Sequence, residues 1–249
     1  MKSLKNISIK PVLVPLCYLY LLSLIYNFVF LMGSMYLNGL LFFIFEIGMG
    51  LISSIGFYWL CLKIWKMEGF NKNTVLKVLT LELFYLFICL VILQPLASMD
   101  NLLCQVIGLI FMVSMIPVQL IYFHGLAIGK QTFKSIFSYI GQVLKKENRS
   151  ITNKFCVCLL IVLLLDTLSS GMMSAANGIN TCSLCTLMIL YGNPLMSGMV
   201  FSFFALSLQL EIIDLLAYAG MYLLLAICYG LIDVNYILFI KRKSTLDES

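Results

Sequence analysis

The chain has 249 residues, of which 62% are hydrophobic and only 11% are charged, and its formal net charge is +5. Soluble domains carry about 25% charged residues, so the composition excludes an ordinary soluble domain and predicts a membrane protein. The positive charges lie beside apolar segments, where topology and anionic lipid account for them, so no nucleic-acid partner is expected.

The positive charges are clustered. All 16 Lys and Arg residues lie in four short segments, at 1–10, 63–77, 130–154 and 241–243. The blocks between them contain no positive charge and cover 11–62, 78–129 and 155–240. A span needs about 20 apolar residues, and Lys and Arg collect on the cytoplasmic side of a membrane. Each block should therefore hold an even number of helices and have both ends in the cytoplasm.

This pattern predicts an all-α protein of the bacterial plasma membrane, with six spans and both termini in the cytoplasm. The predicted spans are residues 12–32, 40–62, 78–96, 102–123, 155–172 and 215–240. The start of the chain has the basic-then-apolar order of a signal peptide. Its apolar stretch is too long for one and lacks a small-x-small cleavage site, so the first span should be retained.

The second span ends at the inner side of the membrane, close to two tryptophans. Trp59 and Trp65 are expected at this interface, where indole rings prefer to lie. The small residues of the same span should let another helix approach closely, and they are Gly48, Gly50, Ser53, Ser54 and Gly56.

The cytoplasmic segment 130–146 has the spacing of an amphipathic helix. The predicted apolar face consists of Phe133, Ile136, Phe137, Ile140, Val143 and Leu144. Such a helix should lie on the inner leaflet, with Lys130, Lys134 and Lys145 toward anionic head groups. Anchoring alone and docking of a partner are both open as its role.

The third block is harder to divide, because two apolar runs follow its first span while the basic tail requires a cytoplasmic end. Gly192-Asn193-Pro194 interrupts the first of these runs, and proline removes a backbone donor. We therefore interpret residues 184–208 as a re-entrant pair of half-helices on the outer face, packed against other spans. The alternative is a seventh span with the tail outside.

The predicted spans contain four acidic residues, Glu46, Glu82, Asp166 and Asp233, but no Lys or Arg. A carboxylate at the centre of a bilayer costs about 2.5 to 3.5 kcal/mol. Glu82 and Asp233 are expected to pair with the nearest interfacial cations, Lys77 and Lys241.

The other two acids are candidate contacts for a substrate or an ion. Asp166 is the deepest, Glu46 lies near the outer end of its span, and Asn193 belongs to the re-entrant element. Together they are the predicted pathway residues for a proton, a cation or a polar substrate. The alternative for Asp166 is a protonated side chain that only packs.

Two cysteines form a CxxC motif near the outer surface, Cys182 and Cys185, and this motif is similar to those of thiol-oxidising membrane proteins. It is a possible redox pair. His124 is the only histidine, and no Cys/His/Asp group has ligand spacing, so no metal or other cofactor is expected. The chain contains no GxxxxGK[ST] phosphate loop, so ATP-driven activity would need a separate subunit.

Some segments resemble the membrane subunits of ABC-2-type exporters: Tyr191-Gly192-Asn193-Pro194-Leu195, the closing Tyr236-Ile237-Leu238-Phe239-Ile240-Lys241-Arg242-Lys243, and Glu68. That resemblance implies a six-span permease with a re-entrant element before its last span. A second resemblance, over residues 1–170, is to six-span bacterial proteins like the membrane domain of glycerophosphodiester phosphodiesterases. Its carriers are Lys10-Pro11-Val12-Leu13-Val14-Pro15 and Lys145-Lys146-Glu147-Asn148.

We therefore predict a transport permease subunit that works with a cytoplasmic ATPase. The expected partners are the lipid bilayer, that ATPase subunit and a second copy of the chain. One alternative is a non-catalytic membrane scaffold or lipid-interacting protein, and another is a CxxC thiol oxidoreductase. No catalytic residue is assigned.

Overall fold

A computed structural model describes residues 35–88, 102–130, 132–177 and 230–242, together with single helical positions between 14 and 33, at 91, 92 and 95, and at 224, 227 and 228. Every regular element within these residues is helical, which confirms the all-α class for the described part of the chain. The predicted re-entrant element at 184–208 lies outside the described residues, as do most of the first predicted span and almost half of the last.

The described residues contain five helices with defined bounds: α1 Gly39–Trp65, α2 Lys72–Ile88, α3 Leu102–Ala127, α4 Phe133–Val143 and α5 Lys146–Asn177. Residues 230–242 are also helical and are termed the C-terminal segment. The predicted spans 40–62, 102–123 and 155–172 lie within α1, α3 and α5, and each helix extends beyond its span. Hydropathy marks contact with hydrocarbon, whereas backbone hydrogen bonds continue a helix into water.

Among the described helices, α1 is long and apolar enough to cross a membrane, as judged by its length and composition. Val113–Ala127, the second part of α3, is a shorter apolar stretch. The first halves of α1 and α3 expose large apolar side chains, and Leu41 and Leu103 are each 65% exposed. Exposed apolar area is unfavourable in water at about 25 cal/mol per Å² and has no such cost against lipid tails.

Local hydrogen bonds fix the turn between α1 and α2. α1 ends at Trp65, and the next residue, Lys66, adopts a left-handed conformation with φ 56°. The N–H of Met67 donates to the carbonyl of Leu62. At the start of α2, Asn71 and Thr74 cap each other. The Thr74 N–H donates to Asn71 Oδ1 over 2.9 Å, and the Asn71 N–H donates to Thr74 Oγ1 over 3.1 Å. The chain therefore reverses tightly and lays α2 beside α1.

α3 is the central helix, because it contacts each of the other four. The core lies where the second halves of α1 and α3 meet, and Phe57, Tyr58, Leu120 and Phe123 are fully buried there. The Tyr58 and Phe123 rings pack edge to face with centroids 5.2 Å apart. Such aromatic pairs add about 0.5 to 1.5 kcal/mol beyond the burial of their area.

α4 docks onto α3 through one face. Thr132 caps its first turn by accepting from the Ser135 N–H, and the buried side chains are Ile136, Tyr139, Ile140 and Val143. The approach is close at Gly125 of α3, where an added Cβ would lie 3.3 Å from Tyr139 Cδ1.

The predicted apolar face of this helix is covered by α3 in part and exposed in part. Phe133 and Phe137 are 56% and 64% exposed, and Tyr139 replaces them in the buried face. Helical spacing identifies apolar positions but does not say which of them a neighbouring helix covers.

Candidate functional site

A row of three hydrogen bonds joins α2 to α3. Tyr85 Oη donates to the Met115 carbonyl over 3.2 Å, Gln119 Nε2 donates to Glu82 Oε1 over 2.5 Å, and Tyr122 Oη donates to the Lys77 carbonyl over 3.2 Å. From the first bond to the third, the residue numbers fall along α2 and rise along α3. This order is the one expected for two antiparallel helices. We name these six residues the polar seam.

Glu82 is the only acidic residue of the polar seam. It is 1% exposed, and its Oε2 atom makes no hydrogen bond within the described residues. Ser54 of α1 is fully buried beside this carboxyl group. α1, α2 and α3 thus meet around one buried carboxyl group.

The predicted pairing of Glu82 with Lys77 is wrong, since the carboxyl group takes its hydrogen bond from Gln119. Side chains five positions apart lie about 140° apart around a helix, whereas partners on one face are three or four positions apart. Glu82 faces α3. Lys77 takes part in the polar seam through its backbone carbonyl, which accepts from Tyr122.

Pro117 lies inside α3, between Met115 and Gln119. A proline removes one donor from the helical ladder, and in membrane helices neighbouring side chains re-satisfy the freed backbone groups. The Tyr85 hydroxyl reaches the Met115 carbonyl two positions before this proline. The carbonyl that loses its donor is that of Val113, four positions before the proline, so the polar seam contacts α3 close to the interrupted bond but not at it.

A second polar group lies at the C-terminal ends of α1 and α3. His124 Nδ1 and Tyr139 Oη are 2.7 Å apart, and the Trp65 ring packs edge to face against the imidazole with centroids 4.7 Å apart. Trp65 Nε1 donates to the Ile237 carbonyl over 2.8 Å, and Lys241 Nζ donates to the Trp65 carbonyl. These five residues, the inner cluster, connect α1, α3, α4 and the C-terminal segment.

The two tryptophans that are expected at the inner interface differ in their burial. Trp65 is fully buried in the core. Trp59 is half-buried, and Lys63 Nζ lies 5.4 Å above its ring, as suits a residue at an interface. Trp65 is buried because the C-terminal segment, about 170 residues later in the chain, covers it.

Asp233 of the C-terminal segment is the second buried acid. It is 2% exposed, lies close to Cys61, and neither of its carboxyl oxygens has a hydrogen bond to a described residue. The predicted pairing with Lys241 is wrong. Eight residues of helix separate the two by about 12 Å along the axis, and Lys241 Nζ reaches the carbonyl of Trp65 instead.

The sequence-predicted site residues fall into two groups. Lys130, Lys134 and Lys145 are exposed, as contacts with lipid head groups require. Asp166 lies in α5 and Glu46 in α1, and their side chains are outside the described part of the structure. Asn193, Cys182 and Cys185 also lie outside it.

Gln119, Ser54 and Tyr139 make polar contacts that were not predicted from the sequence. Gln119 and His124 are polar residues inside an apolar helix, and that signal was present in the sequence. Their partners lie 37 and 15 residues away, so the pattern of α3 alone could not identify them.

Within the described residues, no group of three or more His, Cys, Asp or Glu side chains could hold a metal ion. The polar seam and the inner cluster are therefore the features on which a function can be built. Comparisons of the chain with protein-family models, with curated proteins and with solved structures give no match.

Proposed function

We propose that the chain is the membrane subunit of a transport system, with six spans, both termini in the cytoplasm and a separate ATPase. The observation that carries the proposal is the burial of Glu82, Gln119 and Asp233 inside a bundle with an apolar exterior. Acidic side chains inside a membrane are costly and mark substrate or ion pathways. A scaffold that only packs would not need two buried acids.

The exterior of the bundle supports the membrane location. Phe84 and Phe87 of α2, Ile107 of α3 and Val157 of α5 are all exposed, in addition to the first half of α1. Apolar surface on several helices at once is unfavourable in water and suits contact with lipid. The Lys and Arg clusters favour a cytoplasmic location for the α1–α2 turn and for α4.

The proposed role of each polar residue follows from its position in the bundle. Glu82 and Gln119 contact the transported polar group in the inner half of the bundle, and Asp166, Glu46 and Asn193 are the proposed contacts beyond it. The chain has no phosphate loop of its own. The cytoplasmic surface around Lys66 and Lys72, both exposed, is the proposed docking surface for an acidic patch on the ATPase.

Co-purification from native membranes in mild detergent tests this function. We expect a nucleotide-binding subunit in stoichiometric amount and ATP hydrolysis by the complex after reconstitution. Lys72→Glu should weaken the complex, whereas Asn38→Glu, on the opposite side of the predicted membrane, should leave it intact. The absence of a nucleotide-binding partner, even after mild cross-linking in the membrane, would contradict the proposal.

A second function, lipid interaction at the inner leaflet, is favoured by α4. Its buried face holds it against α3, so Phe133 and Phe137 point away from the protein one turn apart. Lys134 lies next to them and is exposed. Two aromatic rings beside a basic side chain suit the boundary between acyl chains and anionic head groups.

Site-directed spin labelling tests the lipid contact, in a background whose other cysteines are replaced. A nitroxide attached through Phe137→Cys should be relaxed mainly by oxygen, which concentrates in lipid. A nitroxide attached through Gln142→Cys, on the exposed polar side of the same helix, should respond to a water-soluble agent. Equal responses to the water-soluble agent would argue against lipid contact.

A further inference from the structure

We propose that the Glu82 carboxyl group is a reversible proton-binding site, built with Gln119 and Ser54 where α1, α2 and α3 meet. The inference goes beyond the proposed transport function, because it holds for any substrate and any source of energy. It concerns one ligand, the proton, and one group whose charge changes.

The carboxyl group is enclosed on all sides. Glu82 is 1% exposed, and Gln119 and Ser54 are fully buried. Gln119 Nε2 lies 2.5 Å from Oε1, so this oxygen already accepts a hydrogen bond. The second carboxyl oxygen, Oε2, has no hydrogen-bond partner among the described residues.

Among the described residues, the side chains that act on the carboxyl group are Gln119 and Ser54, and both are neutral. An ionised carboxylate would thus be buried without a paired cation from this part of the structure. Such an arrangement is among the most costly in a protein.

Among the described residues, the polar seam and the adjoining turns of α1 also contain three tyrosines and one cysteine. The hydroxyl groups of Tyr85, Tyr122 and Tyr58 donate to the backbone carbonyls of Met115, Lys77 and Gly69. Cys61 lies two turns further along α1, near Asp233. These groups are neutral in their ordinary forms, so a proton is the available means of neutralising Glu82.

Ser54 and Gln119 can serve both protonation states. A serine hydroxyl is a donor and an acceptor, so Ser54 can accept from a protonated Oε2 and can donate to it once the proton has left. The Gln119 amide donates to Oε1 in either state. The site therefore offers hydrogen-bonding groups to both the protonated and the ionised carboxyl group.

Infrared difference spectroscopy of the protein in lipid bilayers tests the proposal. At about pH 7, well above the value of about 4.3 at which an exposed glutamate loses its proton, the wild-type chain should show the carbonyl band of a protonated acid. The contribution of Glu82 to that band should disappear in Glu82→Gln. It should persist in Glu68→Gln, a change of an exposed glutamate, and in Asp233→Asn, which removes only what the second buried acid contributes.

Isotope labelling of the unchanged chain gives an answer even where Glu82→Gln does not fold. Carboxyl ¹³C in glutamate should shift the band, whereas the same label in aspartate should not. Raising the pH to about 10 should replace the band by carboxylate bands, since the proton is bound reversibly.

Three outcomes would overturn the proposal: no glutamate band at neutral pH, a band unchanged by Glu82→Gln, or a band that persists at every pH. Loss of the band on adding sodium at constant pH would assign the site to a metal ion instead. None of these readouts depends on transport or on an ATPase, so failure here and failure of the proposed function are distinguishable.

Discussion

The polar seam and the inner cluster are both buried and both built on α3, but they satisfy their polar groups differently. The inner cluster ties Trp65 and Lys241 to backbone carbonyls and His124 to Tyr139. One nitrogen of His124 has no described partner, and neither has one oxygen of Glu82. An unmet neutral group costs about 1 to 3 kcal/mol, whereas an unpaired buried charge costs far more. The inner cluster therefore joins elements, and the polar seam holds a group whose charge can change.

The largest effect is expected from breaking the inner cluster at its centre. Trp65→Ala removes a fully buried indole that contacts His124 and the C-terminal segment. Loss of such a residue lowers the free energy of unfolding by about 3 to 5 kcal/mol. Denaturant unfolding in detergent measures it, with the half-buried Trp59 as the control. Equal losses for Trp65→Ala and Trp59→Ala would show that Trp65 is not a core residue.

A smaller loss is expected where α4 approaches α3. Gly125→Leu forces a side chain against the Tyr139 ring and should destabilise the protein by about 1 to 3 kcal/mol. Gly141→Leu on α4 has open space around its Cβ and should cost less than about 0.5 kcal/mol. Thermal unfolding and protease cleavage at α4 report both. The docking of α4 on α3 is refuted if the two variants behave alike.

Two hydroxyl deletions compare the regions directly. Tyr139→Phe leaves a buried imidazole nitrogen without its partner and should lower the free energy of unfolding by about 1 to 2 kcal/mol. Tyr85→Phe in the polar seam removes a 3.2 Å bond to a helical carbonyl and should lower it by less than about 1 kcal/mol. Equilibrium unfolding in detergent gives both values. The reverse order would contradict the account of the inner cluster.

A small effect is also expected outside both regions, at the CxxC motif. Cys182→Ser combined with Cys185→Ser should change the free energy of unfolding by less than about 1 kcal/mol and leave function within about twofold. No Lys, Arg or His lies near Cys185 in the sequence to stabilise a thiolate. A double variant that inserts and folds but has lost all function would instead favour a thiol oxidoreductase.

The sequence predicts the helical class and the approximate positions of α1, α3, α4 and α5, because apolar periodicity and charge are local properties. It does not predict the partners of Glu82 and Trp65, since Gln119 and Ile237 are distant in the chain. Pairing each acid with its nearest lysine failed for the same reason. Side-chain direction around a helix decides such contacts, and short sequence distance does not.

The central claim is that the inner cluster and both chain termini face the cytoplasm in a six-span protein. Single cysteines in a cysteine-free background, probed with an impermeant thiol reagent on intact cells, test it most directly. Positions Asn38, Asn101 and Asn177 should be labelled, and positions Lys72, Gln142 and Ser244 should be protected until the membrane is opened. Labelling of Ser244 from outside would contradict the account and give seven spans without a re-entrant element.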